Sequence, residues 1–509
     1  MILFDGNDIK VVGRQFQATG GDLVITFTGR AANPPVEKGF GETYLEKRGI
    51  SAIHFISKKN HWWQTPETVE ALESLRASGV FEGRRLTLYG SSMGGYAAMR
   101  FSRLLQPYQV VVFSPQFSID AAKVPFETRW RNYAAKLDFA ADNMAEGIDP
   151  KSRMLVLFDP MFRPDAKHVA LFEALRPVER VIIPFAGHNT ARLLSEVGII
   201  TAVTGSLIQG GFDCRQFTGL YRRERCTGAL FWHGLAETLR AHRRPGAAVL
   251  AALASVRLLL KLDRMHDRTL RLDILHSGLA AALELGRLDL AQAMLELATK
   301  LDAASARSLN AQAAVARAIG RMEDAHRLAE TAANSHPNDL AAMVGLASIL
   351  TELGRTEQAI AILDRLPPKL QGAPPVLLAR ARLQVAAEQW EDAKTTLRRF
   401  CRLEGRDAEA RVLLARCWAR TGRPDAAEVQ LRPLLSAPIV SPRLAREAVL
   451  LLESGGSGAL AVSTANLHAK YNKACDIITA FGEERVWSDD PHMIVREVRS
   501  AVRSAVSGA

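Results

Sequence analysis

Apolar positions along the chain follow two patterns that change over near residue 205. Before that point, short runs of Val, Ile, Leu and Phe recur at 23–28 (LVITFT), 52–57 (AIHFIS), 85–90 (RLTLYG), 110–115 (VVVFSP), 154–159 (MLVLFD) and 180–185 (RVIIPF). Amphipathic stretches of helical length separate them, such as 66–75 (PETVEALESL) and 93–105 (MGGYAAMRFSRLL). Strands that are apolar throughout, joined by helix-length connections, predict a mostly parallel sheet with helices on both faces. Ligands of such folds bind beyond the carboxyl ends of the strands, so the loops following the strands are where chemistry is expected.

Past about residue 228 the β-branched runs give way to Ala, Leu, Arg and Glu, and a repeat emerges. Gly286, Gly320, Gly354 and Gly422, each followed by Arg, fall on a 34-residue grid whose 388 slot carries Glu388. Five residues beyond the slots stand Ala291, Ala325, Ala359, Ala393 and Ala427, and seven before the last four stand Ala313, Ala347, Ala381 and Ala415. Small residues at these places let two antiparallel helices approach closely, while Leu366, Phe400 and Leu434 fill the space against the next pair. The period and the Gly and Ala positions resemble the tetratricopeptide repeat, with Pro337 at one repeat end. Leu279 in the first small-residue slot and the scarcity of repeat-ending prolines depart from it.

The expected organisation is an α/β domain over 1–205, a basic linker over 206–228, and tetratricopeptide-like helical repeats over 229–440. The repeats open on a capping helix pair at 229–242 and 246–260. Residues 441–509 lose the grid and read as terminal capping helices that fray past the SGGSG break at 454–458.

Chemistry concentrates in the first half. The strand 85–90 runs into Gly90-Ser91-Ser92-Met93-Gly94-Gly95 and then a helix. This G-x-S-x-G turn between strand and helix is the nucleophile-elbow pattern. Ser92 must take a strained backbone conformation there, and Gly90 and Gly94 remove side chains that would collide across the turn. The Met93 amide, at the helix start, is an oxyanion donor candidate.

Residues 1–205 resemble the α/β-hydrolase superfamily, in which the partners follow in the order Ser, acid, His. The resemblance implies a base at His188, which follows the strand 180–185. His54 lies in a strand, His61 in an earlier loop and His168 in a helix. For the acid it implies Asp165 or Asp159, both near the end of the strand 154–159, with Asp120 a third choice. Asp165 equally suits a helix-capping role, and Asp159 a loop-holding one. The second oxyanion donor is expected from the backbone of Gly29 or Arg30, after the strand 23–28. Arg30 suits either an anionic part of the substrate or a plain surface position. Trp62 and Trp63 suit either a stacking platform for a sugar or acyl group or packing of their loop. The segments 91–101 and 113–120 are similar to hydrolase-like proteins encoded among bacterial surface-polysaccharide genes, which implies removal or transfer of an acyl group on a glycan.

Composition narrows the partners and compartment. The chain of 509 residues is 48% hydrophobic and 23% charged, a folded-protein balance. No run reaches the roughly 18 apolar residues a membrane span needs. The N-terminus lacks a basic then apolar leader pattern, and five scattered cysteines contain no C-x-x-C pair, so a cytoplasmic chain without disulfide framework or thiolate zinc site is expected. Of the net charge of +11, most sits in residues 211–271, with 12 Lys/Arg against 5 Asp/Glu. No nucleic-acid motif accompanies that excess, so it reads as a solvated helix face, with binding of nucleic acid, an acidic lipid surface or an anionic substrate as the alternatives. No P-loop, dinucleotide fingerprint or H-E-x-x-H motif occurs, so no cofactor and no metal are expected. About forty residues between Pro115 and Arg153 leave no room for a large lid, which disfavours long-chain lipases. The resulting expectation is a serine esterase, thioesterase or acyltransferase with a protein- or peptide-binding repeat array. Its rival is a non-catalytic adaptor whose degenerate hydrolase domain and repeat groove both dock partners.

Overall fold

The computed structural model describes residues 1–15, 21–31, 33–241, 245–261, 268–337, 339–404, 407–435 and 442–456. Two compact units emerge, Met1–Gly234 and Leu235–Ala509, and the division falls inside the helix Ala229–Ala241. The expected terminal segment past residue 456 lies outside the described residues.

The first unit is built on eight strands: β1 (Ile2–Asp5), β2 (Ile9–Arg14), β3 (Gly21–Phe27), β4 (Ala52–Ser57), β5 (Arg84–Ser91), β6 (Gln109–Phe113), β7 (Arg153–Phe158) and β8 (Glu179–Ile182). They lie in the order β1-β2-β4-β3-β5-β6-β7-β8, parallel except where β2 meets β1 and β4. The six apolar runs seen in sequence are β3 to β8. The two antiparallel edge strands escaped notice because ILFD and IKVVGR are short, and β1 buries none of its residues.

Alternate side chains of the strands feed two faces. Leu23, Ile25, Phe27, Leu86, Leu88, Val110, Val112 and Val156 form one core with the helices Pro66–Ala77, Met93–Arg100 and Arg163–Leu175. On the opposite face, Tyr89 Oη lies 3.2 Å from Thr204 Oγ1, and Gln109 Nε2 donates to Leu207 O at 2.8 Å. The helix Ile200–Gln209 therefore covers the sheet, and the α/β unit does not stop at 205. The expected linker over 206–228 is corrected with it. Cys214–Glu224 is a second helix, in which Phe217 and Tyr221 are buried, and Tyr221 Oη donates to Pro184 O. Its basic residues occupy the outer side of an amphipathic helix that the sequence reading took for a tether.

Strand order reverses between β3 and β5. The chain leaves β3 towards β4 on one side and leaves β5 towards β6 on the other. Right-handed crossovers then carry the two connections over opposite faces, and a crevice opens between them at the carboxyl ends. Ser92 follows β5 directly, and Gly29 stands two residues beyond β3.

The second unit is a run of antiparallel helix pairs: Arg268–Leu285 with Leu288–Leu301, Ala306–Ala318 with Met322–Ser335, Leu340–Glu352 with Thr356–Asp364, Pro374–Ala386 with Trp390–Leu403, and Ala408–Arg420 with Pro424–Leu435. Before them, Pro245–Lys261 packs along Arg268–Leu285, and after them Pro442–Ser454 packs on the last pair. All nine grid alanines are buried, as are Leu279, Leu366, Phe400 and Leu434. Each grid position ends a first helix in the left-handed region, with φ of 78° at Gly286, 83° at Gly320, 73° at Gly354 and 76° at Gly422. The residue after each slot reaches back five positions, as in Arg321 N–H to Ala316 O at 2.9 Å, the six-to-one bond that closes a Schellman cap.

Glu388 takes the same conformation, at φ 57°, and Gln389 N–H still reaches Gln384 O at 2.8 Å. The cap geometry thus overrides a side chain ill suited to it, against a left-handed cost of roughly 1–2 kcal/mol for an L-residue. Glu388→Gly is expected to raise the stability of this unit by about 1 kcal/mol, part of the strain relief being offset by glycine's greater unfolded freedom. Urea denaturation of both proteins measures it; an unchanged or lower midpoint contradicts the strain.

Candidate active site

The turn after β5 is dictated by close packing. Ser92 sits at φ 54°, ψ −117°, and its N–H donates to Phe113 O of β6 at 2.9 Å. A Cβ on Gly90 would collide with the backbone of Gly94, and one on Gly94 would collide with Phe27 O at the end of β3. At Gly95 a Cβ would come within 3.1 Å of Pro115. Three glycines thus let the helix Met93–Arg100 start wedged between the ends of β3 and β6. Its first ladder bond is Tyr96 N–H to Ser92 O, so the amides of Met93, Gly94 and Gly95 have no intrahelical acceptor.

His188 lies in the loop after β8, half-buried, with its Nε2 2.8 Å from Ser92 Oγ. Its Nδ1 is 2.8 Å and 3.0 Å from the two carboxylate oxygens of Asp165. A nitrogen facing a carboxylate carries the proton, so Nδ1–H donates to Asp165 and Nε2 accepts from the Ser92 hydroxyl. Ser92 and His188, 96 residues apart in sequence, meet through the fold of the sheet.

Of the two acid candidates, Asp165 makes this contact, from the first turn of the helix Arg163–Leu175, with its side chain fully buried. Asp159 does not. Its Oδ2 accepts from Gly187 N–H and its Oδ1 from Met161 N–H, both at 2.9 Å, so it ties the His188 loop to the end of β7. Burial raises the Asp159 pKa, and those backbone bonds offset part of the rise. Asp120 accepts from Ala122 N–H in its own turn.

Behind Asp165 lies a charged network that sequence reasoning missed. Arg129 donates to Asp165 Oδ1 at 3.0 Å and, through Nε, to Glu127 Oε1 at 3.0 Å. Glu127 Oε2 faces His168 Nε2 at 3.0 Å, and His168 Nδ1 accepts from Phe117 N–H at 3.1 Å. The Phe117 bond fixes the tautomer, so His168 donates to Glu127. Burial lowers the His168 pKa and keeps the ring neutral. Burial opposes the Glu127 charge, yet the bonds from His168 and Arg129 outweigh it and lower its pKa to about 2. Among the described residues, Arg129 is the cation paired with the two buried carboxylates of this network.

The loop after β3 is fixed from β4: Ser57 N–H donates to Thr28 Oγ1 at 2.9 Å, and the Asn60 side chain pairs with both backbone groups of Ala31. A Cβ on Gly29 would stand 3.1 Å from Ser91 O, so this loop passes close to the elbow. Arg30 is exposed, its guanidinium 5.2 Å over the Trp130 ring, which in turn lies 6.2 Å from the His188 ring.

The tryptophan pair is corrected by burial. Trp62 is 1% and Trp63 2% exposed, packed in the core beneath the loop, which leaves neither a free face for a ligand. Trp62 donates instead to Gln116 Oε1 at 2.9 Å. Gln116, just past β6, is fully buried; its Oε1 lies 3.4 Å from Ser92 Oγ, and its Nε2 has no partner among the described residues. Its place after a strand end was a usable signal in sequence. Among the described residues no group of three His, Cys, Asp or Glu side chains is placed to hold a metal ion, and no helix is long and apolar enough to cross a membrane.

Two tetratricopeptide-repeat family profiles match within the second unit, over residues 316–383 and 378–431. No curated protein matches the chain. Among solved structures, a tetratricopeptide repeat protein from Parabacteroides merdae ATCC 43184 is 14% identical, covering 50% of this chain and 93% of its own, at a TM-score of 0.31. The Pseudomonas aeruginosa pilF structure is 17% identical over 39% of this chain and 90% of its own, at 0.31. A capsule O-acetyltransferase of Neisseria meningitidis serogroup A is 15% identical over 40% of this chain and 93% of its own, at 0.30. Likeness at this level says nothing about chemistry. The chain thus joins an eight-stranded, mostly parallel α/β unit to an array of tetratricopeptide repeats.

The Glu127 pairing predicts a pH dependence. A carboxyl whose folded pKa lies below its unfolded value near 4.5 stabilises the fold above that value and loses the contribution as pH falls towards 2. The loss is on the order of 3 kcal/mol. Urea denaturation between pH 5 and pH 2.5 is expected to show a steeper loss of stability for wild type than for Glu127→Gln. Parallel curves would contradict the charged network.

Proposed function

We propose that the first unit is a cytoplasmic serine hydrolase of the α/β-hydrolase type, acting on an ester or thioester. The observation that carries this reading is the unbroken chain of hydrogen bonds from Ser92 Oγ through His188 to Asp165, each within 2.8 Å at its shortest. Strand order, the strained elbow and the order Ser92, Asp165, His188 along the chain support it as well.

In this mechanism Ser92 Oγ attacks the acyl carbonyl while its proton passes to His188 Nε2. Asp165 holds the ring by Nδ1–H and stabilises the imidazolium that forms. The carbonyl oxygen, now negative, is met by the Met93 amide at the helix start and by an amide of Gly29 or Arg30, each such donor worth about 10²–10³ in rate. Collapse returns the proton from His188 to the leaving oxygen or sulfur and leaves an acyl-serine. Water releases the acyl group in a hydrolase; a sugar hydroxyl in the same position makes the reaction a transfer.

Gln116 adds a donor. With its Oε1 held by Trp62, its amide hydrogens are free for a substrate group beside Ser92. Arg30, stacked on Trp130 at the rim, favours a substrate carrying negative charge. A small acyl group or one borne on a glycan is the substrate class this reading takes. The repeat array supplies the second half of the function, docking a protein partner.

A fluorophosphonate probe tests the nucleophile. Wild type is expected to label, with labelling lost in Ser92→Ala and His188→Ala; an unlabelled wild type would leave the adaptor reading in its place. Screening short acyl esters and thioesters then tests the acid: Asp165→Asn is expected to lower turnover by roughly 10⁴-fold, and Asp159→Asn far less. The reverse ranking contradicts the assignment.

A further inference from the structure

The repeat array carries a basic cleft that its fold does not use. Successive first helices pack against one another, as Ala306–Ala318 on Leu340–Glu352 and Leu340–Glu352 on Pro374–Ala386, whereas successive second helices touch far less. The gap between second helices opens into a cavity of about 700 Å³ between Trp390–Leu403 and Pro424–Leu435, floored by the helix Ala408–Arg420.

Arg398, Arg402 and Arg423 line it, all exposed, and none has an acidic partner among the described residues. Other arginines nearby are paired, Arg382 with Glu409, Arg416 with Glu447 and Arg432 with Glu428. Among the described residues, Asp425 is the sole carboxylate in the lining. The floor is apolar and aromatic. Trp418 is half-buried with the Arg398 guanidinium 4.8 Å and the Arg423 guanidinium 6.0 Å from its ring centre, and Val429 is 57% exposed at the side. Lys394, itself buried, lies 4.3 Å from the same ring.

We infer that this cleft is a docking site for an acidic linear segment of a partner protein, one that places an apolar side chain on Trp418 and Val429 and carboxylates on the three arginines. Guanidinium forks without intramolecular partners are matched to carboxylates, and stacking on tryptophan holds them in place. A cavity of this size accepts a short stretch of peptide with its side chains, not a folded surface. The inference rests on the array's role as a protein-binding module, and it puts the contact on the side of the second helices.

The test uses the full chain and a labelled octapeptide of six Glu and Asp residues flanking a central Phe-Leu, read by fluorescence anisotropy. Saturable binding is expected, weakened more than tenfold in Arg398→Glu/Arg402→Glu/Arg423→Glu and weakened also in Val429→Asp. The matching peptide with Lys in place of every acid should bind the reversed variant and not wild type, an outcome that a misfolded variant does not produce. Equal binding of the acidic peptide to wild type and the reversed variant would overturn the proposal. So would saturable binding of an anionic lipid vesicle or an oligonucleotide at this cleft with none of the peptide. A partner captured by the array with the cleft variant unimpaired would overturn the site while leaving the array's general role intact.

Discussion

The backbone of Ser92, forced into positive φ between two strand ends, is the constraint on which the first unit depends. Such a conformation costs on the order of 1–3 kcal/mol and persists only where the surroundings leave no alternative. Here β3 and β6 supply the vice. Gly94 touches the Phe27 carbonyl, Gly95 abuts Pro115, and the Ser92 N–H is anchored on Phe113 O. Because the helix must begin at once, its unpaired amides and the serine hydroxyl are presented at the same point. That point coincides with the reversal of strand order, where the connections diverge and leave room for a ligand.

A second constraint runs beneath it. Asp165 and Glu127 are both buried and meet at Arg129, with neutral His168 closing the far end. Removing Arg129 would strand carboxylate charge in the interior, at a cost of several kcal/mol, so the network fixes the carboxylate that orients His188. Asp159 plays the complementary part through backbone amides, holding the His188 loop in position. Two aspartates six residues apart thus divide the work of placing one imidazole.

What was legible in the sequence follows from how local each signal is. The elbow glycines and the 34-residue grid are local signals at fixed spacing, so Ser92 and the repeat were visible, Glu388 included as a slot lacking its glycine, whereas the Schellman caps at those slots emerge only from the backbone geometry. His188 was legible through its place after a strand. The choice between Asp165 and Asp159 was not, since it turns on which carboxylate the third dimension brings within 3 Å of a ring nitrogen. Trp62 and Trp63 suggested a ligand platform because composition cannot report burial. Residues 206–228 looked like a tether because their charges dominate the text, while Phe217 and Tyr221, which dock the helix, are only two. Arg129 was missed for a related reason, since its importance lies in partners distant along the chain, whereas Gln116 stood at a strand end, where its position was a usable signal.

The central claim is that the Ser92 hydroxyl, the His188 ring and the amides at the start of the helix Met93–Arg100 address one reacting carbon. A crystal structure of the protein treated with a short alkyl phosphonate tests this directly. The account predicts phosphorus bonded to Ser92 Oγ, with a phosphonyl oxygen accepting hydrogen bonds from Met93 N–H and from the backbone of the 28–30 loop. An unmodified Ser92, or an adduct whose oxygen points away from both amides, would contradict it.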